Sequence, residues 1–438
     1  MTRPGPTSLA RDYVRNEPHV GRFYEGHYLN PADYLEKARR VDGRFHRDAR
    51  MGALSMLRGW TPEAQDRVDR FADEDGFFVT TGQQPGLFGG PLYTLYKALT
   101  AIQLSRALER FLERPVLALF WIASEDHDWE EADHTHILDL DNHLRTLRLP
   151  VQGGAPNRPL HRIRLEAGLE DALDELRRAL PETDFSPPLL EILSHAYQDG
   201  TTLSRGFGDL FAELLRDQPI AFVDAANDDL KAASLPTLFR ELERSHEHEA
   251  LLTRASSHLE MEGYHAQVPI LEAGVNLFFE GPEGRDRLYR EGEGVRLNRA
   301  GVTMTREAVQ DASREDPTLL SPNVLLRPVL ESRLFPTLSY VAGPGEMAYF
   351  GQLKELFHAH DLEMPVVHPR HSATLVEKKI GKVLGKFHRS VESMDRPFHE
   401  IAGEIALDEV PPDVRRALGE LRGAVGEGAG ALVKAVHS

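Results

Sequence analysis

The sequence of 438 residues contains no cysteine. Disulfides, thiolate nucleophiles, zinc ribbons and iron–sulfur clusters all require cysteine sulfur, so this chain can build none of them. Any metal ion would have to be held by histidine or carboxylate ligands, and the 20 histidines leave that open.

The chain also lacks an excess of positive charge and a long apolar segment. It has 51 Lys and Arg against 69 Asp and Glu, a formal net charge of −18. Proteins that bind nucleic acids use clustered basic residues, so we expect no nucleic-acid partner. The apolar run at 116–123 is far shorter than the ~20 residues of a membrane span, and residues 1–16 show no apolar core of a secretory signal. We therefore predict a cytoplasmic protein with no membrane partner.

The patterning of the sequence indicates an α/β fold with two flanking helical regions. Residues 1–75 show amphipathic helical patterns and are predicted to pack on the core. Residues 76–373 carry the core, with inserted connecting segments, including a glycine-broken hairpin, over about 150–320. An apolar stripe at spacings of three and four, interrupted at Pro411–Pro412, predicts a helical coiled-coil region over 374–438.

Two strand–loop–helix units predict a parallel, Rossmann-like sheet. Each unit has an apolar run, a glycine-rich loop, a helical pattern and a second apolar run, as in a βαβ unit. The run at 115–123 does not alternate, which is typical of a strand buried on both faces. The predicted strands cover 77–81, 115–123, 219–224, 338–342 and 364–367, and the predicted helices cover 92–113, 165–180, 189–215 and 346–359.

The first candidate site motif is TTGQQPGLFGGPLYTLYK at 80–97. Backbone N–H groups in a glycine loop and at a helix start can bind an anion. Ligands of open α/β sheets bind at the carboxyl ends of the strands, where this loop lies. A tight turn that merely needs glycine dihedrals is the alternative. The candidates are Gln83, Gln84 and Lys97 for a substrate and Gly82, Gly89 and Gly90 for a cofactor.

The second motif, WIASEDHDWEEADHTH at 121–136, places four ionisable residues directly after a buried strand. These are Glu125, Asp126, His127 and Asp128, the candidate catalytic residues. One interpretation is substrate recognition, with a carboxylate for an amine and His127 as a phosphate donor or proton carrier. The alternatives are a metal site that uses His127, His134, His136 and neighbouring Asp residues, and a plain acidic loop.

Two further motifs supply candidate anion contacts. SPNVLLRP at 321–328 contains Asn323 and Arg327, whose planar guanidinium suits a carboxylate or phosphate, although such an arginine is as often a structural anchor. YVAGPGEMAYF at 340–350 contains a second loop before a helix, in which Gly343 and Gly345 are candidates for binding a cofactor. Arg370 follows the last predicted strand.

Together these segments closely resemble the bacterial family of cysteine-adding enzymes of bacillithiol biosynthesis. The segments 80–102, 120–134, 321–328 and 340–353 occur in that family's order. The resemblance implies a Rossmann-like core of the nucleotidylyl-transferase type and a C-terminal coiled coil that forms a homodimer. Members of the family usually continue past that coiled coil, whereas this sequence stops at Ser438.

The resemblance also implies a reaction, the joining of cysteine to glucosaminyl-malate through an amide bond, as the last step in making bacillithiol. A free carboxylate does not acylate an amine in water, so we expect ATP to activate the cysteine carboxyl, although no motif indicates a nucleotide site. The expected contacts are Gly89, Gly90, Lys97 or His127 to the α-phosphate, Glu125, Asp126 or Asp128 to the cysteine ammonium, and Arg327 and Arg370 to the malate.

Two other functions stay open at this point. The Asp–His cluster is compatible with a metal-dependent hydrolase or deaminase. A non-catalytic nucleotide-binding dimer is the other alternative. The related ligase of mycothiol synthesis reads its thiol substrate with zinc held partly by cysteines, an arrangement that this chain cannot copy, so the metal content is open.

Overall fold

The computed structural model describes residues 7–152, 157–394 and 396–436. The contacts divide them into a large unit that runs through Ser372 and a small unit from Ala373 onward. In the described residues the strands are β1 (Gly59–Trp60), β2 (Phe77–Gln83), β3 (Val116–Ile122), β4 (His134–Leu138), β5 (Leu144–Arg148), β6 (Ile220–Asp224), β7 (Gly274–Gly281), β8 (Gly284–Glu291), β9 (Gly294–Leu297), β10 (Thr303–Met304), β11 (Leu320–Pro322), β12 (Thr337–Ala342) and β13 (Val366–Pro369).

Polar side chains cap the starts of several helices. Asn30 caps the second helix through its side chain and Pro31 is its first residue, where a missing N–H costs nothing. In the described residues the α-helices are α1 (Ser8–Val14), α2 (Pro31–Asp42), α3 (Arg47–Ser55), α4 (Gln65–Phe71), α5 (Tyr93–Leu112), α6 (Trp129–Ala132), α7 (Leu169–Ala179), α8 (Ser186–Ala196), α9 (Leu203–Leu214), α10 (Asp228–Met261), α11 (Arg306–Glu315), α12 (Arg327–Leu334), α13 (Pro344–Phe350), α14 (Lys354–Ala359), α15 (Lys378–Lys386), α16 (Phe398–Glu409) and α17 (Pro412–Val436).

A six-stranded sheet in the order β1–β6–β3–β2–β12–β13 forms the centre of the large unit. The five strands from β6 to β13 are parallel and β1 pairs antiparallel at the edge. The prediction of a parallel, Rossmann-like sheet is confirmed. In β3, Leu117, Leu119 and Trp121 face one hydrophobic cluster while the alternating residues face the other. Burial on both faces explains why this strand is apolar throughout.

The strand order reverses between β2 and β12. The chain runs from β2 to β3 and β6 on one side, whereas β12 and β13 lie on the other side. In open α/β sheets such a switch point opens a crevice outside the carboxyl ends of the strands. Here those ends are Gln83, Ile122, Ala342 and Pro369.

A second, antiparallel sheet is inserted between β6 and β12, in the order β10–β9–β8–β7–β11. The predicted hairpin over 276–279 and 287–297 corresponds to β7, β8 and β9. The short strand β11 pairs with β7 and leads into α12, so the inserted sheet connects directly to the motif that contains Arg327.

Some elements differ from the predictions. The 34-residue helix α10 was not predicted; Pro236 lies inside it, and its backbone departs from helical geometry at Arg244. The predicted helix at 189–215 is two helices, α8 and α9, and the predicted helix at 346–359 is α13 followed by α14.

The small unit consists of α15, α16 and α17. Val376, Ile380 and Val383 of the predicted apolar stripe are exposed on the chain. The side chains of Leu432 and Val436, which belong to the same stripe, lie outside the described part. Coiled-coil pairing and dimer formation stay predictions. Among the described residues, no helix has the length and apolar character needed to span a membrane.

Candidate active site

A pocket of about 610 Å³ lies at the switch point, outside the ends of β2, β3, β12 and β13. It collects side chains from loops that are far apart in the sequence. The predicted site residues that line it are Gly82, Gln83, Gln84, Lys97, Glu125, Asp126, His127, Asn323, Arg327, Gly343, Gly345 and Arg370.

Lys97 and Glu346 form an ion pair at the floor of this pocket, with Nζ 2.6 Å from Oε2. Lys97 also donates to the carbonyl of Gly82 and to Oε1 of Gln83, at 2.8 and 3.0 Å. Burial lowers the pKa of Lys97 although Glu346 opposes that shift. Burial alone would raise the pKa of Glu346, but Lys97, the Gly343 N–H and the Tyr340 hydroxyl together lower it. The ion pair therefore joins α5 to α13 at the end of β2.

Arg327 is held by Glu331 one helical turn later, at 2.8 Å, and donates to the Tyr340 hydroxyl at 3.1 Å. Glu331 in turn accepts a hydrogen bond from Thr80 of β2. Burial raises the pKa of Glu331, while Arg327 and Thr80 oppose that shift. One edge of Arg327 is thus used in the fold, and the guanidinium still reaches the pocket.

The four residues after β3 are placed differently from one another. Glu125 is buried and forms an ion pair with Lys231 of α10. Asp128 is exposed and lies outside the pocket, since its carboxylate accepts from the Glu131 N–H and caps α6. The expectation that Asp128 contacts the substrate therefore does not match its position. Only Asp126 and His127 present side chains to the pocket without a lysine partner.

Asp126 and His127 are linked to a buried arginine, Arg285 of β8. Its Nη1 lies 3.2 Å from Nδ1 of His127 and 3.6 Å from Oδ1 of Asp126. Because a guanidinium can only donate, Nδ1 of His127 is an acceptor in this contact and the neutral ring carries its proton on Nε2. Burial would raise the pKa of Asp126, but hydrogen bonding by His127, whose backbone N–H donates to Oδ1 at 2.7 Å, and the charge of Arg285 lower it. The pocket therefore contains an ionised carboxylate beside an imidazole N–H donor.

Sequence reasoning missed the residues that the inserted sheet contributes. Phe278 of β7 and Arg285 and Arg287 of β8 line the pocket, as do Tyr93 and Tyr349. The guanidinium carbons of Arg285 and Arg287 lie 3.9 and 4.9 Å from the centre of the Phe278 ring. The available signal was the predicted strand that begins at Arg287, and a strand pattern does not reveal what its face meets.

Gly89 and Gly90 lie outside the pocket and do not form an anion cradle. The Gly89 N–H donates to the Gly86 carbonyl and the Tyr197 hydroxyl, and the Gly90 N–H donates to the Leu87 carbonyl. Both have positive φ, and a Cβ on Gly89 would lie 3.2 Å from Leu210. These glycines serve a tight turn, as the alternative interpretation has it.

The remaining predicted contacts are partly engaged within the protein. Gln84 donates to the Asp128 carbonyl at 3.0 Å. The Asn323 side chain accepts from the N–H groups of Leu325 and Leu326 and donates to Asn276. The Gly343 N–H donates to Glu346. Arg370 lies over the Tyr93 ring at 5.6 Å.

The structure does not bring His127, His134 and His136 together as metal ligands. His134 contacts Asp133 and His136 contacts Thr146 on the β4–β5 hairpin, away from the pocket lining. Among the described residues, two other groups have metal-ligand spacing, and neither lines this pocket. They are Glu241, His248 and His360, which are buried, and Asp139, Asp141 and His143.

The sheet order and the pocket at its switch point define an α/β protein of the Rossmann type. The family model described as "Bacillithiol biosynthesis BshC, N-terminal Rossmann-like domain" matches residues 2–371. The chain therefore belongs to this BshC family of bacillithiol biosynthesis.

Similar proteins carry the same family name. A protein of Salinibacter ruber named "Putative cysteine ligase BshC" is 36% identical over 359 residues, which cover 81% of this chain and 65% of that relative. Proteins of the same name from Chlorobium phaeobacteroides and Koribacter versatilis are 31% and 30% identical and are covered over 73% and 76% of their length. The chain thus spans about two thirds to three quarters of these relatives.

Proposed function

We propose that this protein is a ligase that joins L-cysteine to glucosaminyl-malate through an amide bond. The observation that carries the proposal is the gathering of Gln83, Lys97, Asp126, His127 and Arg327 in one pocket at the switch point. The names of the relatives support the cysteine ligase reaction class.

Asp126 is the residue that we assign to the ammonium group of cysteine. Of the three candidate carboxylates, Glu125 is already paired with Lys231 and Asp128 caps a helix outside the pocket. Asp126 keeps a lowered pKa, so it is ionised at neutral pH. A carboxylate in the pocket can bind the cysteine ammonium and orient the carboxyl group for activation.

His127 is assigned to the activation step as a hydrogen-bond donor. ATP is the expected activating co-substrate, because an amide bond forms in water only from an activated carboxyl. With Nδ1 accepting from Arg285, the Nε2–H of His127 is free to donate to a phosphate oxygen as negative charge grows there. The cysteine carboxylate attacks a phosphorus atom of ATP and displaces pyrophosphate or ADP. The glucosamine nitrogen then attacks the activated carbonyl carbon, loses a proton and displaces AMP or inorganic phosphate, respectively, which keeps one carboxyl oxygen.

The test is a reaction of the purified protein with L-cysteine and glucosaminyl-malate, with and without ATP. We expect a product with the combined mass of the two substrates minus water, formed only with ATP, and release of AMP or ADP. His127→Ala and Asp126→Ala are expected to lower turnover, with Asp128→Asn as the matched control. No product with ATP present would refute the ligase, and full turnover by both alanine variants would remove the cluster from catalysis.

A further inference from the structure

Arg287 on the inserted sheet differs from the other charged residues of the pocket described so far. Lys97, Arg327 and Arg285 each have a carboxylate within 3.6 Å, namely Glu346, Glu331 and Asp126. Arg287 lines the same pocket, and its guanidinium makes no hydrogen bond or ion pair with any residue that the structure describes. Its contact is with the face of Phe278, at 4.9 Å.

The position of Arg287 beside Arg285 is electrostatically unfavourable without an anion. The two arginines are two residues apart on β8, so their side chains leave the same face of the strand. Both guanidiniums lie against one ring, that of Phe278, which pairs with Arg287 across the strands. Asp126 pairs with Arg285 and not with Arg287, and like charges at short range destabilise each other in a partly buried site.

We infer that Arg285, Arg287 and Phe278 form an anion subsite that binds a dicarboxylate, the malate half of glucosaminyl-malate. This inference rests on the proposed function and assigns the malate to the inserted sheet instead of to Arg327 and Arg370. A planar guanidinium binds a carboxylate through two parallel hydrogen bonds, and a stacked arginine is held ready for that geometry.

The chemistry of the substrate agrees with this placement. In glucosaminyl-malate the malate and the reacting amine are attached to adjacent carbons of the sugar ring, so they must bind within a few ångströms of each other. The His127 ring lies 5.8 Å from the Phe278 ring, and Arg285 contacts both His127 and Phe278. A malate group on the two arginines therefore leaves the amine next to His127 and Asp126.

The experiment is calorimetric titration of the full chain with glucosaminyl-malate, in the wild type, Arg287→Gln, Arg287→Lys and Arg296→Gln. Arg296 lies on the neighbouring strand β9, pairs with Glu291 and does not line the pocket, so its variant is matched in charge and in sheet. We expect R287Q to weaken binding about tenfold or more, R287K to weaken it less, and R296Q to bind like the wild type. Circular dichroism of each variant confirms that the fold is kept.

Titration with pyrophosphate and with ATP tests whether the subsite binds phosphate groups instead of the malate carboxylates. Loss of phosphate binding in R287Q with unchanged glucosaminyl-malate binding would overturn the dicarboxylate assignment, as would equal affinity of R287Q and the wild type. Failure of the wild type to bind glucosaminyl-malate would also overturn it. Because binding needs no turnover, Arg287-dependent binding without amide formation would refute the proposed ligase and leave the subsite standing.

Discussion

The two sheets that meet at the pocket differ in how far their charged side chains are paired within the protein. On the wall formed by the parallel sheet and its loops, Lys97 lies beside Glu346 and Glu125 lies beside Lys231, so the charges compensate each other inside the protein. On the wall formed by the inserted sheet, Arg285 and Arg287 stack on Phe278, and of these two only Arg285 forms an ion pair with a described carboxylate, that of Asp126. The charges of the first wall are therefore compensated without a ligand, whereas the second wall has an excess positive charge that an anionic ligand would neutralise.

This difference separates residues that hold the pocket together from residues that receive a substrate. A paired, buried charge should affect stability when it is changed, because its partner is left uncompensated. A charge without a partner should affect binding and leave the fold nearly unchanged. The following variants test that distinction, from the largest expected effect to the smallest.

Lys97→Met is expected to lower the free energy of unfolding by about 3–5 kcal/mol, because it leaves the Glu346 carboxylate buried without a counter-charge. Urea denaturation of the full chain measures the effect. In the double variant Lys97→Met/Glu346→Gln both charges are gone, so the loss should be smaller than in K97M alone. A K97M variant as stable as the wild type would contradict the view that this wall is held by its ion pair.

Asp126→Asn is expected to raise the KM for cysteine about tenfold or more, because it removes a charge-assisted hydrogen bond to the ammonium group. Asp128→Asn, two residues away, is the control, since asparagine caps a helix as well as aspartate does. Steady-state kinetics at saturating glucosaminyl-malate measures both. An equal rise in KM for the two variants would refute the assignment of Asp126.

Gly89→Ala is expected to lower stability by about 1–2 kcal/mol, because Gly89 has a φ of 94° and a Cβ there meets Leu210. Gly200→Ala has a similar positive φ with open space around it, so it reports the backbone strain alone. Thermal unfolding compares the two. Loss of ATP-dependent turnover in G89A at unchanged stability would instead indicate that the turn binds a phosphate.

Arg287→Gln is expected to change stability by less than about 0.5 kcal/mol, because no described carboxylate loses a partner and the repulsion from Arg285 is relieved. The same urea denaturation measures this change. A loss as large as that of K97M would mean that Arg287 is part of the fold, and the contrast between the two walls would then be wrong.

The sequence predicted the parallel wall well because its residues follow strand ends. Gln83 is the last residue of β2 and His127 follows β3, and the carboxyl ends of neighbouring parallel strands meet at one edge. The sequence could not predict that Asp126 lines the pocket whereas Asp128 caps α6, because this depends on how a single turn directs two nearby side chains. The turn at Gly89 likewise satisfies its own N–H groups, which a glycine pattern alone does not reveal.

The inserted wall was missed for a different reason. Arg287 lies far along the chain from Gln83, and alternation within β8 shows only that two arginines share a face. Which surface that face meets is decided by the packing of the inserted sheet through β11 and α12, a long-range property. The contact between the ring of Phe278 and both arginines appears only once the register of β7 and β8 is known.

The most direct test of the central claim uses cysteine labelled with ¹⁸O at both carboxyl oxygens, together with glucosaminyl-malate and ATP. Activation of the carboxyl followed by amide formation predicts that one labelled oxygen stays in the amide and the other appears in AMP or in inorganic phosphate. Mass spectrometry of the amide and of the released phosphate compounds measures both. No amide product, or an amide formed without transfer of ¹⁸O to a phosphate, would contradict the account.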